Sequence, residues 1–210
     1  MSSFFRFVLF SSFAVILSAQ SGAGVVSVEE ARNPLTGKSL RAIITAQEHL
    51  KSGQHDRGMR ELRDAMKDPV AMPYAIGILG AEHLKAGQVD TALEELEQAV
   101  LLLPQPPILS NLAYALYLKG ETEGGLEEVR KALQLDGGKP KTRLVLGMLL
   151  LQQGDHEAEA IQQLQAAAAE GTPSAHLVLA RHYDRAGKAP EAEKERRAYD
   201  ITSMGLLAAK

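Results

Sequence analysis

The side chains that could do acid–base or metal chemistry in this sequence are six histidines and 26 aspartates and glutamates. The histidines are His49, His55, His83, His156, His176 and His182. A zinc hydrolase sets two histidines one helical turn apart around a glutamate, the pattern HExxH, and no pair here has that spacing. The chain has no cysteine, which excludes thiolate metal sites, disulfides and cysteine nucleophiles. His49 and His83 stand at the same place in two nearly identical segments, which points to packing between helices rather than to ligation. His176 and His182 are six residues apart and fall on different helix faces. No phosphate-cradling glycine loop is present, since Gly22-Ala23-Gly24 precedes no suitable helix, and no G-x-S-x-G elbow occurs. The carboxylates Glu94-Glu95-Glu97 and Glu127-Glu128 lie between apolar positions, as a solvated helix face does. No catalytic residue, metal or cofactor is expected.

Bulk composition narrows the partners. Lys and Arg number 23 against 26 acidic residues, a net charge of -3, where a surface that neutralises phosphates would tip the balance the other way. Nucleic acid is therefore not an expected partner. Apolar residues make up 45% and aromatics only 5%, with Ala and Leu prominent, which suits closely packed helices. β-branched and aromatic runs that would mark strands are missing after about residue 30.

The first residues carry an address. Arg6 is the only charged side chain in the first 28 residues. The apolar run Phe7 to Leu17 follows, then the small residues Ser18, Ala19, Ser21, Gly22 and Ala23. This three-part pattern predicts a secretory signal over residues 1–23, cleaved after Ala19 or Ala23, and hence a secreted or periplasmic protein. The run is short for a membrane span, which takes about 20 residues. Retention as an uncleaved anchor is the other reading, and no stable span is expected once the signal is gone.

The elements that must position the remaining polar side chains announce themselves by repetition. Glu48-His49-Leu50-Lys51-Ser52-Gly53-Gln54 and Glu82-His83-Leu84-Lys85-Ala86-Gly87-Gln88 differ at one position and lie 34 residues apart. The glycine recurs as Gly53, Gly87, Gly120, Gly154 and Gly187. Pro73, Pro106, Pro140 and Pro173 each precede one of these glycines by 14 residues, with Ser39 at that place in the first unit. Proline suits the first turn of a helix, and glycine can end one in the left-handed conformation. Each unit thus predicts a helix from proline to glycine and a second helix after it. Asp56, Asp90, Glu123 and Asp155 are placed to start the second helices, by the helix dipole and, for Asp, by capping.

Seven residues before each glycine stands a small residue, Ala46, Gly80, Ala113, Gly147 or Ala180, preceded by Thr45, Leu79, Leu112, Leu146 or Leu179. The second helices carry an apolar stripe: Gly58-Met59-Leu62-Ala65-Met66, Ala92-Leu93-Leu96-Ala99-Val100 and Gly125-Leu126-Val129-Ala132-Leu133. Ala160-Ile161-Leu164-Ala167-Ala168 fits if one residue is inserted after Gly154.

In these features the chain resembles the tetratricopeptide repeat family, although the tryptophan typical of that family is missing. The resemblance runs over about residues 39–200 and rests on Leu79-Gly80, Ala92, Ala99 and Pro104. Asn111 to Tyr117, Ala132, Leu133, Leu146-Gly147, Leu179-Ala180 and Tyr183 extend it. It implies an all-α fold, a right-handed α-solenoid of about five hairpins, with units near 39–72, 73–105, 106–139, 140–172 and 173–205. Residues 24–38 read as an irregular leader, with Asn33-Pro34 and Thr36-Gly37 as turn signals. Pro190 to Arg197 is charged and reads as a polar capping helix. A docking helix is the alternative there, given Ile201, Met204, Leu206 and Leu207.

The resemblance also implies a binding face, the concave side formed by the first helices. Family places that touch ligands fall here on Gln47 and Lys51, on Tyr74 and Lys85, and on Tyr114 and Tyr117. In the last two units they fall on Lys141, Met148 and Gln152, and on Arg181 and Arg185. The two-carboxylate clamp of chaperone-binding relatives is not reproduced, since Ile43 and Gly77 stand where a lysine would be needed. The expected ligand is a protein or peptide segment, extended and acidic, held by the two tyrosines and steered by the basic residues. An enzyme acting on cell-wall glycans and a module that self-associates are the alternatives.

Overall fold

The structure is a computed structural model that describes residues 35–208. The expected signal and most of the leader lie outside the described residues, as do the side chains of Leu206 and Leu207. Among the described residues the chain forms ten α-helices and no strand. The first two hairpins are α1 (Gly37–Lys51) with α2 (His55–Ala65), and α3 (Met72–Lys85) with α4 (Val89–Leu102). Next come α5 (Pro106–Lys119) with α6 (Thr122–Asp136), then α7 (Pro140–Gln153) with α8 (Glu157–Ala169). The last pair is α9 (Pro173–Arg185) with α10 (Ala189–Ala208). Gly37 and Lys38, read from the sequence as leader, already belong to α1.

Local chemistry explains the punctuation. Pro73, Pro106, Pro140 and Pro173 sit at the first or second position of their helices, where a missing N–H costs nothing. After α5, Gly120 adopts φ 81° and lets the Glu121 N–H return to the Leu116 carbonyl at 2.9 Å, which satisfies a carbonyl the helix end would leave open. The same return bond runs from Gln54 to His49, Gln88 to His83 and Lys188 to Tyr183. The fourth hairpin differs: Gly154 donates to Leu150 instead, and α8 begins three residues after the glycine rather than two. That is the inserted residue of the sequence pattern.

The expectation about acidic starts needs correction. Asp56, Asp90 and Glu123 lie in the first turns of α2, α4 and α6, but Asp155 precedes α8, whose first turn holds Glu157 and Glu159. None of them is the capping residue. Gln54, Gln88, Glu121 and His156 occupy those positions, without a side-chain cap bond. Their contribution is therefore the dipole interaction alone, about 0.3–1 kcal/mol each.

Packing follows the repeated small residues. Ala46, Gly80, Ala113, Gly147 and Ala180 are all buried where the two helices of a hairpin cross. Leu62, Leu96, Val129 and Leu164 hold one place in successive second helices and are fully buried, worth about 1.5–3 kcal/mol each. Leu79, Leu112, Leu146 and Leu179 are buried too, whereas Thr45 at the same place is exposed, because no described hairpin precedes α1. No helix among the described residues is long and apolar enough to cross a membrane.

Candidate binding groove

First helices of successive hairpins touch one another, α3 with α5, α5 with α7 and α7 with α9, while no two second helices make comparable contact. In a stack of hairpins the more closely spaced side lies on the inside of the bend. The odd-numbered helices thus form the inner face, and all eleven side chains singled out for binding belong to them.

The face holds two hollows. The first, about 370 Å³, lies among α1, α3 and α5. Its floor is apolar, with Ile43, Ile78, Pro107 and Ile108. Gly77 contributes only backbone there: a Cβ would stand 2.9 Å from Ile108 Cδ1, so glycine is what lets α3 and α5 close up beneath the hollow. Its polar lining is Gln47, Lys51, Tyr74, Glu82, Lys85, Gln105 and Asn111. Lys85 Nζ reaches Glu82 Oε1 at 2.5 Å. Lys51 has no carboxylate partner among the described residues.

Lys141, on α7, stands beside this hollow and donates from Nζ to Asn111 Oδ1, in its lining, at 2.6 Å. The residue as a whole is exposed, and its bond to Asn111 is partly buried. Burial pushes its pKa below the ordinary lysine range, and the positive charge of Lys85 pushes it the same way. No carboxylate offsets this cost, so Lys141 is a cation short of an anion.

The second hollow, about 180 Å³, lies among α5, α7 and α9 and is lined by Tyr117, Met148, Leu151, Gln152, Val178, Arg181, His182 and Arg185. The Tyr114 ring stacks on that of Tyr117, with centroids 6.0 Å apart and planes 13° apart. Both tyrosines are half-buried and also pack on the core around α7. Gln152 is already engaged: its amide nitrogen donates to the Tyr117 carbonyl, and its oxygen accepts from Thr122 Oγ1. Arg181 and Arg185 have no carboxylate partner among the described residues.

The sequence-selected residues therefore divide. Gln47, Lys51, Tyr74 and Lys85 line the first hollow; Tyr117, Met148, Gln152, Arg181 and Arg185 line the second. Tyr114 stacks on Tyr117, and Lys141 lines neither hollow but bonds Asn111 in the lining of the first. Sequence reasoning did not select Ile108, Pro107 or Asn111. The proline pair 106–107 opening α5 was the available signal, since it brings Ile108 in at the start of the helix.

The histidines do more than pack. His49 Nδ1 bonds Glu61 Oε2, and His83 Nδ1 bonds Glu95 Oε2, each at 2.6 Å across its own hairpin. His176 pairs with Glu195 at 2.7 Å, and His182 with Glu157 at 3.0 Å. Glu95 therefore does not lie on a solvated face. Nor does Glu128, the equivalent carboxylate of the third hairpin. Leu116 stands there in place of histidine, and Glu128 Oε2 is buried without a hydrogen-bond partner. Glu94, Glu97 and Glu127 are exposed, as read from the sequence. Among the described residues no group of three or more His, Asp and Glu could hold a metal ion.

A family model described as tetratricopeptide repeat matches residues 79–140 and 144–203. No curated protein matches the chain in sequence. Solved structures share its architecture. PilW, a widely conserved type IV pilus biogenesis factor, has a TM-score of 0.68 at 20% identity, covering 80% of each chain. A thermophilic TPR protein from Thermus thermophilus, TTC0263, has 0.62 at 22%, covering 79% of this chain and 99% of its own. MamA (41-end) from Desulfovibrio magneticus RS-1 has 0.59 at 13%, covering 81% and 98%. At such identities the likeness is one of fold.

Proposed function

Because this chain belongs to the tetratricopeptide repeat family, we propose that it is an exported scaffold that holds an extended, acidic protein segment along the inner face of its first helices. The observation that carries this reading is the mismatch between global and local charge. The whole chain is acidic, at -3. Yet Lys51, Arg181 and Arg185 face the groove without carboxylate partners among the described residues, and Lys141 donates only to a neutral amide. Unpaired cations flanking a half-buried aromatic stack suit an anionic chain that lays a side chain on the rings. A binding role needs no catalytic site. The secretory address supports a location in the cell envelope or outside the cell.

The test is capture from envelope extract. Tyr114→Ala with Tyr117→Ala should abolish retention of the native partner while the helical circular dichroism signal stays unchanged. Capture equal to that of the native sequence would move the binding surface elsewhere. The next candidate is α10, where Ile201 and Met204 stand 72% and 70% exposed.

A further inference from the structure

The second helices lie on the outer side of the stack, and two of them carry ridges that complement each other. In α4 the places three, seven, ten and fourteen residues after Gly87 hold Asp90, Glu94, Glu97 and Leu101. In α10 the same places after Gly187 hold Pro190, Lys194, Arg197 and Ile201. All of these residues are exposed, Leu101 at 86% and Ile201 at 72%. Side chains so open add little to the fold of their own chain, yet each is a large aliphatic group at the end of a charged row.

The ridges match in order as well as in sign. Steps of four, three and four keep the side chains on one line of a helix, and with this spacing two parallel helices stay in register. Laid side by side in the same direction, Glu94 meets Lys194, Glu97 meets Arg197 and Leu101 meets Ile201. In opposite directions the ion pairs survive, as Glu94 with Arg197 and Glu97 with Lys194, but Ile201 is set against Asp90 and Leu101 against Pro190. Only the parallel pairing brings the two large aliphatic side chains together.

The charges are open to a partner. Glu94, Glu97 and Lys194 have no ion-pair partner among the described residues. Arg197 holds Glu193 on its own helix at 2.9 Å with its side chain 75% exposed, and a guanidinium has donors left for a second carboxylate. The other outer helices do not offer the same ridge. Arg60 and Arg63 take the middle places of α2, but Lys67 takes the last and lies past the end of that helix at Ala65. In α6 Glu127 is followed by Arg130 and Gln134. Within one chain α4 and α10 belong to the second and fifth hairpins, with two hairpins between them, so the match is one between chains.

We infer that the α4 ridge of one copy packs in parallel on the α10 ridge of a second copy. The contact is heterologous: each copy offers one ridge of each sign, so copies join head to tail. It is also small, one helix against one helix, well below the roughly 1,200 Å² at which stable interfaces begin. Association is therefore reversible, confined to concentrated protein and weakened by salt. The outer side makes the contact, so both hollows stay open in every copy, and the inference does not depend on what they hold.

The test is zero-length carbodiimide coupling of an equal mixture of isotopically heavy and light chain, read by peptide mass spectrometry. A carboxylate touching an ammonium loses water to form an amide. Mixed-isotope amides joining Glu94 or Glu97 to Lys194 are expected, in a yield that rises from micromolar to millimolar protein. The Lys131–Glu127 pair, at 2.8 Å, should give an intrachain amide at every concentration. Sedimentation of two variants supplies the second arm. Glu94→Lys with Glu97→Lys makes both ridges basic, and Lys194→Glu with Arg197→Glu makes both acidic. Each variant alone should associate about tenfold more weakly than the native chain, because like charges then meet. An equal mixture of the two should recover native association, because each variant then meets a complementary ridge. Native chain that stays monomeric at millimolar concentration overturns the inference. So do single variants that associate like the native chain, a mixture that fails to recover, or interchain amides from Glu94 and Glu97 to lysines other than Lys194.

Discussion

Gly147 and Leu164 meet across the fourth hairpin with no space for a side chain between them: a Cβ on Gly147 would lie 2.6 Å from Leu164 Cγ and 3.1 Å from the Ala160 carbonyl oxygen. The leucine could swing aside, but the carbonyl belongs to α8 and can move only with the helix. Gly147→Leu should destabilise the protein by about 1–3 kcal/mol through overpacking. Glu94→Leu, on an exposed face of α4, should change stability by less than about 0.5 kcal/mol. Urea unfolding of both variants decides, and equal midpoint shifts would contradict this packing.

Glu95 and Glu128 hold the same repeat place with opposite consequences. Glu95 meets His83 at 2.6 Å, both half-buried. In the third hairpin Leu116 holds the place of His83, and Glu128 keeps one oxygen buried without a hydrogen-bond partner and uses the other on Lys131 at 2.8 Å. Glu95→Gln should destabilise by about 1 kcal/mol, the scale of a charge-assisted bond with modest burial. Glu128→Gln should be neutral or stabilising, since it gives up a poorly solvated charge. Thermal denaturation of the two single variants tests the difference in sign.

These contrasts show what the sequence made legible. The 34-residue recurrence fixed the hairpins, because proline, glycine and small-residue places each answer to backbone geometry within one unit. The apolar rows also read directly, since Leu62, Leu96, Val129 and Leu164 need only a 3.6-residue period. Contacts between helices were less visible. The recurrence of His49 and His83 was plain, but their partners lie 12 residues away on another helix. Nothing in a single sequence says that Glu95 turns inward while Glu94 turns out. In the groove, the basic side chains could be placed by repeat position. The aliphatic floor could not, because Ile108 enters it only where α3 and α5 close up at Gly77, a contact between hairpins that the repeat places do not announce. Asp155 misled because the inserted residue in the fourth turn shifts α8 past it.

Lys141 should leave a pH signature. Its folded pKa lies below its unfolded value through burial and the charge of Lys85. Below that folded value it is protonated in both states, and the folded state bears the cost. As pH rises from the lowered folded value towards the ordinary value of about 10.4, the unfolded chain binds more protons than the folded one. Stability contributed by this residue therefore increases across that window. Lys141→Met removes the titration. The variant's stability relative to the native sequence should thus be greatest near neutrality and decline through that window, as chemical denaturation from pH 7 to 10 would show. A gap independent of pH would mean that the ammonium is well solvated.

The proposed export makes a mass prediction. The protein recovered from its own cells should begin between Gln20 and Gly24, as intact mass would show. A full-length chain that stays with membranes after a salt wash would mean that the apolar run is kept as an anchor.

Charge reversal at the two ends of the groove separates steering from anchoring. Lys85 lines the first hollow and Arg181 the second, with the Tyr114–Tyr117 stack on α5, one of the two first helices between them. Steering acts through solvent and fades over about 8–10 Å near physiological ionic strength, whereas contact with buried rings does not. Lys85→Glu with Arg181→Glu should therefore slow association with the captured partner severalfold at low salt and barely at all above about 0.5 M, while leaving dissociation nearly unchanged. The tyrosine double variant should do the reverse, speeding dissociation at every salt concentration, since truncating anchors acts mainly on that rate. Surface plasmon resonance across a salt series reads both rates. A charge-reversal effect that persists at high salt would place Lys85 and Arg181 in direct contact with the ligand. No effect at any salt concentration would remove the inner face from the binding surface.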